Sequence, residues 1–158
     1  MRIALGTVQF GIHYGIANNN GQIEKSEAKD ILNYANSCGV DTVDTAIAYG
    51  VSEQCLGEIG VDDYHVITKL PEIPDECENL SGWVRSHVMS SLRRLGVQTL
   101  SGLLLHRPSQ LLDLDKEDLW AILLQLKNEG VVDKIGFSIY TPDELDKLWD
   151  LFKPDLVQ

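Results

Sequence analysis

Long apolar runs are missing from this chain of 158 residues. No stretch of about 18 or more uninterrupted apolar residues occurs, so no segment is long enough to cross a bilayer as a helix. Basic residues are scarce: 13 Lys and Arg stand against 24 Asp and Glu, a net charge of −11 at pH 7. A surface that acidic repels phosphate backbones, which sets nucleic acid aside as a partner. It leaves room for a nucleotide cofactor, which needs only a local dipolar or positive site. Cysteine is rarer still. Cys38, Cys55 and Cys77 are odd in number and show no CxxC spacing, so neither a disulfide framework nor a zinc site is expected. His13, His65, His87 and His106 also lack ligand spacing, and no metal site is expected. The opening Met1-Arg2-Ile3-Ala4-Leu5 has a positive charge but too short an apolar run for a signal peptide. The expected compartment is the cytoplasm.

What is present is an alternation of strand and helix patterns. Arg2 to Val8 reads as a short apolar strand. Ser26, a plausible N-cap, opens a helix with Ala28, Ile31, Leu32 and Ala35 at helical intervals, stopped by Gly39. Val40 to Asp44 reads as a strand, Ser52 to Ile59 as a helix and His65 to Thr68 as a strand. Pro71 and Pro74 mark a loop, followed by a helix from Ser81 to Leu95 and a strand from Leu100 to Leu105. Leu119 to Lys127 is an apolar helix and Lys134 to Ser138 a fifth strand. Thr141-Pro142-Asp143-Glu144 starts a helix whose buried face would be Leu145, Leu148, Trp149 and Phe152; Leu156-Val157-Gln158 begins a sixth strand.

Strands separated by helices argue for parallel β/α units in a single domain over residues 1–158, with no repeat or linker. The pattern alone would equally suit an open doubly wound sheet. Against that, Gly6-Thr7-Val8-Gln9-Phe10-Gly11 has the wrong spacing for a dinucleotide-binding GxGxxG. The expected architecture is an α/β fold, an incomplete (β/α)8 TIM barrel with about six strands and five helices, ending in its sixth strand.

Polar residues gather where strands end: Asp44 after the second, with Tyr49 in the next loop, Lys69 after the third and His106 after the fourth. Each has a plainer role on its own, as a turn cap, a packing aromatic, a surface cation or a structural histidine. In a β/α barrel, however, all these ends lie on one face. Such a set suits proton transfer to a carbonyl oxygen. A tyrosine hydroxyl, with a reference pKa near 10, is a poor acid at neutral pH. A nearby ammonium would lower it towards the working range, a carboxylate would hold that ammonium, and a neutral histidine could orient the carbonyl.

Asp44-Thr45-Ala46-Ile47-Ala48-Tyr49-Gly50, with Ser52-Glu53 and Leu56-Gly57 behind it, resembles the signature of the aldo-keto reductase family. Leu5-Gly6-Thr7 with Phe10-Gly11 is similar to that family's first strand and loop. Thr68-Lys69 resembles its lysine segment, Leu104-Leu105-His106-Arg107-Pro108 its histidine segment and Ile135-Gly136-Phe137-Ser138 its fifth strand. The resemblance implies NADP(H)-dependent reduction of an aldehyde or ketone to an alcohol, with NADPH as the usual cofactor and NADH possible. It implies Tyr49 as proton donor, tuned by Lys69 and Asp44, and His106 orienting the small-molecule carbonyl substrate. Thr7, Asp44, Ser138 and Gln158 would lie along the nicotinamide and its ribose.

Two departures accompany the resemblance. The family usually has asparagine after Ser138, where this chain has Ile139. The seventh and eighth strands, whose loops hold most of the cofactor's pyrophosphate, 2′-phosphate and adenine, have no counterpart in the sequence. Two alternatives follow: a catalytically inactive truncated fragment, or a non-catalytic regulatory or binding protein on a reductase scaffold. Open barrel edges would also favour self-association.

Overall fold

The computed structural model describes residues 3–112 and 118–158. Six parallel strands form one curved sheet in the order β1 to β6, each strand beside its neighbour in sequence. They are β1 (Leu5–Gly6), β2 (Thr42–Asp44), β3 (His65–Leu70), β4 (Gly102–Leu105), β5 (Ile135–Phe137) and β6 (Leu156–Val157). Six α-helices are described: α1 (Val8–Gly11), α2 (Lys25–Ser37), α3 (Ser52–Ile59), α4 (Leu80–Leu95), α5 (Leu119–Asn128) and α6 (Pro142–Phe152). This is part of a (β/α)8 barrel, with β1 and β6 as edges, and no described helix is long and apolar enough to cross a membrane. Parallel pairing of consecutive strands requires a crossover each time, which is why each strand from β1 to β5 is followed by a helix.

The core lies between sheet and helices. Val43, Val66, Leu103, Leu105, Ile135 and Phe137 turn outward from the strands to meet Leu56, Val88, Leu95, Leu123 and Leu126, all nearly fully buried. Strand β4 is Gly-Leu-Leu-Leu and is buried throughout, as a parallel strand covered on both faces must be. Helix α4 runs from an Asn79 cap, whose side chain accepts the Gly82 N–H, to Gly96 in the left-handed region at φ 72°. Helix α6 starts as its sequence predicts, with Thr141 accepting the Glu144 N–H and proline in the first turn.

Several boundaries differ from the sequence reading. The described residues form six α-helices where five were expected, because α1 occupies the end of the expected first strand. Four residues are too few to display a helical period, yet Phe10 (3% exposed) anchors them in the core. Val8 therefore lies in α1, and Arg2 lies outside the described residues. Helix α2 is capped at Glu24, whose carbonyl takes the Ala28 N–H, so Ser26 sits within the first turn. Trp149 is exposed, because Leu148 alone of the expected face is fully buried. A 3-10 helix, Pro108–Leu112, follows β4, and its Gln110 side chain bonds both the N–H and the carbonyl of Ile73.

Candidate active site

Because all six strands are parallel, their C-terminal ends share one rim, and the expected residues meet there. Side chains alternate along a strand, so Thr68 faces the helices while Lys69 faces the barrel interior. The Lys69 ammonium is almost fully buried and spends its three hydrogens locally. It donates to Asp44 Oδ1 and Oδ2 at 2.7 and 2.8 Å and to the Thr45 carbonyl at 2.9 Å. Burial pulls the Lys69 pKa below its ordinary value, opposed by the bond to Asp44. His106 follows β4, its N–H donating to the Leu70 carbonyl at 3.0 Å.

Tyr49 occupies a tight turn between β2 and α3. The turn is strapped to β3 by Thr45 N–H to Ile67 O (2.9 Å) and Ile47 N–H to Lys69 O (3.2 Å), and it hands over to α3 through Ser52 N–H to Tyr49 O (3.0 Å). It lies directly on α1. A Cβ at Gly11 would stand 1.8 Å from the Tyr49 carbonyl oxygen, and Gly50, at φ 57°, backs against Gly11 in turn. The Tyr49 ring meets His106 edge to face at 5.8 Å between centroids, and the Lys69 Nζ is 5.1 Å from its centroid.

The charges do not act on Tyr49 in the way the sequence reading anticipates. Its pKa is pushed up to about 12, by burial first and then by the negative charge of Asp44. The Lys69 ammonium, paired with Asp44, does not offset these two causes in the resting state. Tyr49 thus holds its proton firmly at neutral pH. His106 is held below its ordinary value by burial first, then by Lys69 and Arg107, with Asp44 opposing, so its imidazole is neutral at pH 7.

The remaining expected residues are spread along the same rim. Thr7 is fully buried, and its hydroxyl donates to the Asp44 carbonyl at 3.0 Å. That bond ties the end of β1 to β2. Ser138 follows β5, its N–H on the Leu105 carbonyl, and Gln158 follows β6, its carbonyl accepting the Ile139 N–H at 2.9 Å with its side chain exposed. A cavity of about 340 Å³ beside His106 is lined by Ala48, Pro71, Glu72, Arg107 and Tyr140. A larger groove of about 440 Å³, lined by Phe10, Lys25, Gln54, Cys55 and Glu58 among others, lies elsewhere and holds none of the expected residues.

Two residues of this region entered the sequence reading only within the signature segment, with no site role assigned. Ser52 Oγ donates to the Thr7 carbonyl at 2.8 Å and lies 3.0 and 3.1 Å from the hydroxyls of Thr7 and Thr45. Glu53 is buried, although an acid in a first helical turn is ordinarily solvated. The signal that could have found it is spacing: it precedes the core residue Leu56 by three and so shares its face.

A model described as the Aldo/keto reductase family matches residues 2–158. The protein named uncharacterized oxidoreductase C28F2.05 of Schizosaccharomyces pombe is 32% identical over 131 residues, which is 76% of this chain and 45% of that protein. Among solved structures, PA4992 of Pseudomonas aeruginosa, named as an aldo-keto reductase, superposes with a TM-score of 0.78 at 28% identity, over 98% of this chain and 61% of that one. An aldo/keto reductase of Klebsiella pneumoniae, solved with NADP and acetate, shares the fold with a TM-score of 0.69 at 21% identity, over 92% of this chain and 48% of that one. The chain spans about half the length of the curated relatives it matches.

Proposed function

The chain belongs to the aldo/keto reductase family, and from that premise we propose that it serves NADP(H)-dependent reduction of an aldehyde or ketone to an alcohol, with Tyr49 as proton donor. The observation that carries the reading is the grouping of a firmly protonated Tyr49, a neutral His106 and a buried Lys69–Asp44 pair at one spot on the rim.

The residues fit a nicotinamide in their chemistry. Ser138 and Gln158, at neighbouring strand ends, offer a hydroxyl and an amide to a carboxamide group, while Ile139 offers no polar side chain where the family usually has one. When bound, the reduced nicotinamide supplies a hydride to the carbonyl carbon. The Tyr49 hydroxyl releases its proton to the carbonyl oxygen, and the phenolate left behind faces the Lys69 ammonium. Asp44 keeps that ammonium in place. His106, neutral, donates an N–H hydrogen bond that holds the carbonyl oxygen towards Tyr49. A hydroxyl with a pKa of about 12 stays protonated until charge develops on the substrate oxygen. NADPH is the cofactor we favour, following the Klebsiella relative, with NADH as the alternative.

The test is Tyr49→Phe in the full-length protein. Carbonyl reduction, followed by loss of nicotinamide absorbance, is expected to fall at least about 100-fold, in the range typical of a lost acid catalyst, with cofactor affinity nearly unchanged. Retained turnover would remove Tyr49 from the role.

A further inference from the structure

The proposed reduction employs Tyr49, Lys69, Asp44 and His106 and leaves a second buried carboxylate unused. Glu53, 2% exposed, accepts four hydrogen bonds: from Thr68 Oγ1 (2.7 Å) and Ser91 Oγ (2.6 Å) on one oxygen, and from Arg94 Nε (2.8 Å) and Nη2 (2.6 Å) on the other. A carboxylate buried this deeply is kept only when it is paired and fully hydrogen-bonded. Its site is built for it: a Cβ on Gly57 would stand 2.0 Å from the Arg94 carbonyl oxygen, so α3 and α4 touch backbone to backbone.

The geometry points to Glu53, together with its neighbour Ser52, as a positioning unit that fixes the Tyr49 turn against the strand ends bearing Asp44 and Lys69. The inference rests on the reductase reading above. Ser52 gathers Thr7 and Thr45, and the Thr45 carbonyl is itself a partner of the Lys69 ammonium. Glu53 reaches from α3 to Thr68 on the helix-facing side of β3, the residue before Lys69. Since successive strand residues face opposite sides, pinning Thr68 on the helix side sets the direction in which Lys69 enters the interior. Two adjacent side chains at the start of one helix thereby tie together β1, β2, β3 and α4. The Tyr49 turn runs straight into the same helix, so the distance between Tyr49 and Lys69 is set from behind, through groups that touch neither substrate nor cofactor.

The competing role is an anchor for α4 alone, and three variants separate the two. Thr68→Val removes the strand-side hydrogen bond while keeping a good strand residue. Ser91→Ala removes a bond to the same carboxylate oxygen from the α4 side. Glu53→Gln removes the charge at constant shape. Two quantities are read: the kcat and KM of carbonyl reduction, and the titration midpoint of the His106 imidazole by NMR, which senses the nearby Lys69 charge. Thr68→Val is expected to lower kcat about tenfold with KM within about threefold, the signature of lost alignment. Its His106 midpoint is expected to move up towards 6.5. Ser91→Ala should leave both near wild type, and Glu53→Gln should exceed Thr68→Val. A folded Thr68→Val protein with wild-type kcat and His106 midpoint overturns the inference, as does a Ser91→Ala effect of equal size. If Glu53→Gln fails to fold, Thr68→Val decides alone. Should the wild-type protein reduce no carbonyl compound, the reductase reading fails, while the His106 midpoint still decides the positioning.

Discussion

Asp44 and Lys69 neutralise one another inside a wall from which water is nearly excluded, with side chains 14% and 2% exposed. A lone ammonium there would face a large desolvation cost; with Asp44 and the Thr45 carbonyl all three of its hydrogens are used. At rest the Asp44 charge still helps hold the proton on Tyr49, and on the proposed mechanism the Lys69 ammonium faces the phenolate once it forms. Among the four proposed catalytic residues, His106 is the one whose ordinary pKa, 6.5, lies nearest to neutrality. Because its folded pKa lies below 6.5, the unfolded chain takes up a proton first as pH falls, and the folded protein loses stability from pH 6.5 down to the folded midpoint. On the proposed mechanism, turnover follows the neutral imidazole. The kcat/KM of reduction is expected to be level with respect to this group above pH 6.5 and to decline on its acid side, with the limb gone in His106→Gln. An unaltered acid limb in that variant would assign the titration to another residue.

At the scale of elements, α1 and the Tyr49 turn form one packed unit, joined where Gly11 and Gly50 meet without side chains. Gly11→Ala places a methyl against backbone on two sides, 1.8 Å from the Tyr49 carbonyl oxygen and 2.4 Å from the Ser52 nitrogen. No flexible side chain can yield there, so the turn must move. A loss of about 1–3 kcal/mol or more in urea unfolding is expected, together with reduced turnover; a neutral substitution would mean that the turn is not held by α1. The contrast with what the sequence reveals is instructive here. Helix α3 is read from Ser52 to Ile59 and found there, because its apolar period and its glycine stop agree. Helix α1 is missed because its helicity comes from Phe10 in the core rather than from any pattern four residues long. Asp44, Tyr49, Lys69 and His106 were legible because strand ends on one rim converge. Glu53 was legible only as far as its spacing to Leu56, since nothing in a single acidic residue announces that Thr68, Ser91 and Arg94 surround it. Trp149 misleads in the opposite sense: its spacing matches the buried face of α6, but that face is only partly covered among the described residues.

For the molecule as a whole, the sheet leaves one side of β1 and one side of β6 unpaired among the described residues. Both strands are two residues long, which limits how strongly either edge can template a partner. The net charge of −11 adds repulsion between copies. We expect the 158-residue chain, studied alone, to self-associate in high salt, where that repulsion is screened, and to dissociate in low salt. Sedimentation velocity at two ionic strengths reads this directly, and a monomer under both conditions would sink it.

The strict succession of strands also bears on how the protein is made. Every β-pairing joins a strand to the one synthesised just before it, so each new β/α unit can dock on a finished surface as it leaves the ribosome. The Asp44–Lys69 pair has both its members once β3 has emerged, and the Tyr49–His106 contact once β4 has. The side of the rim that bears Asp44, Tyr49, Lys69 and His106 is therefore assembled from the first four strands, ahead of Ser138 and Gln158. Folding order and the proposed division of labour coincide along the chain.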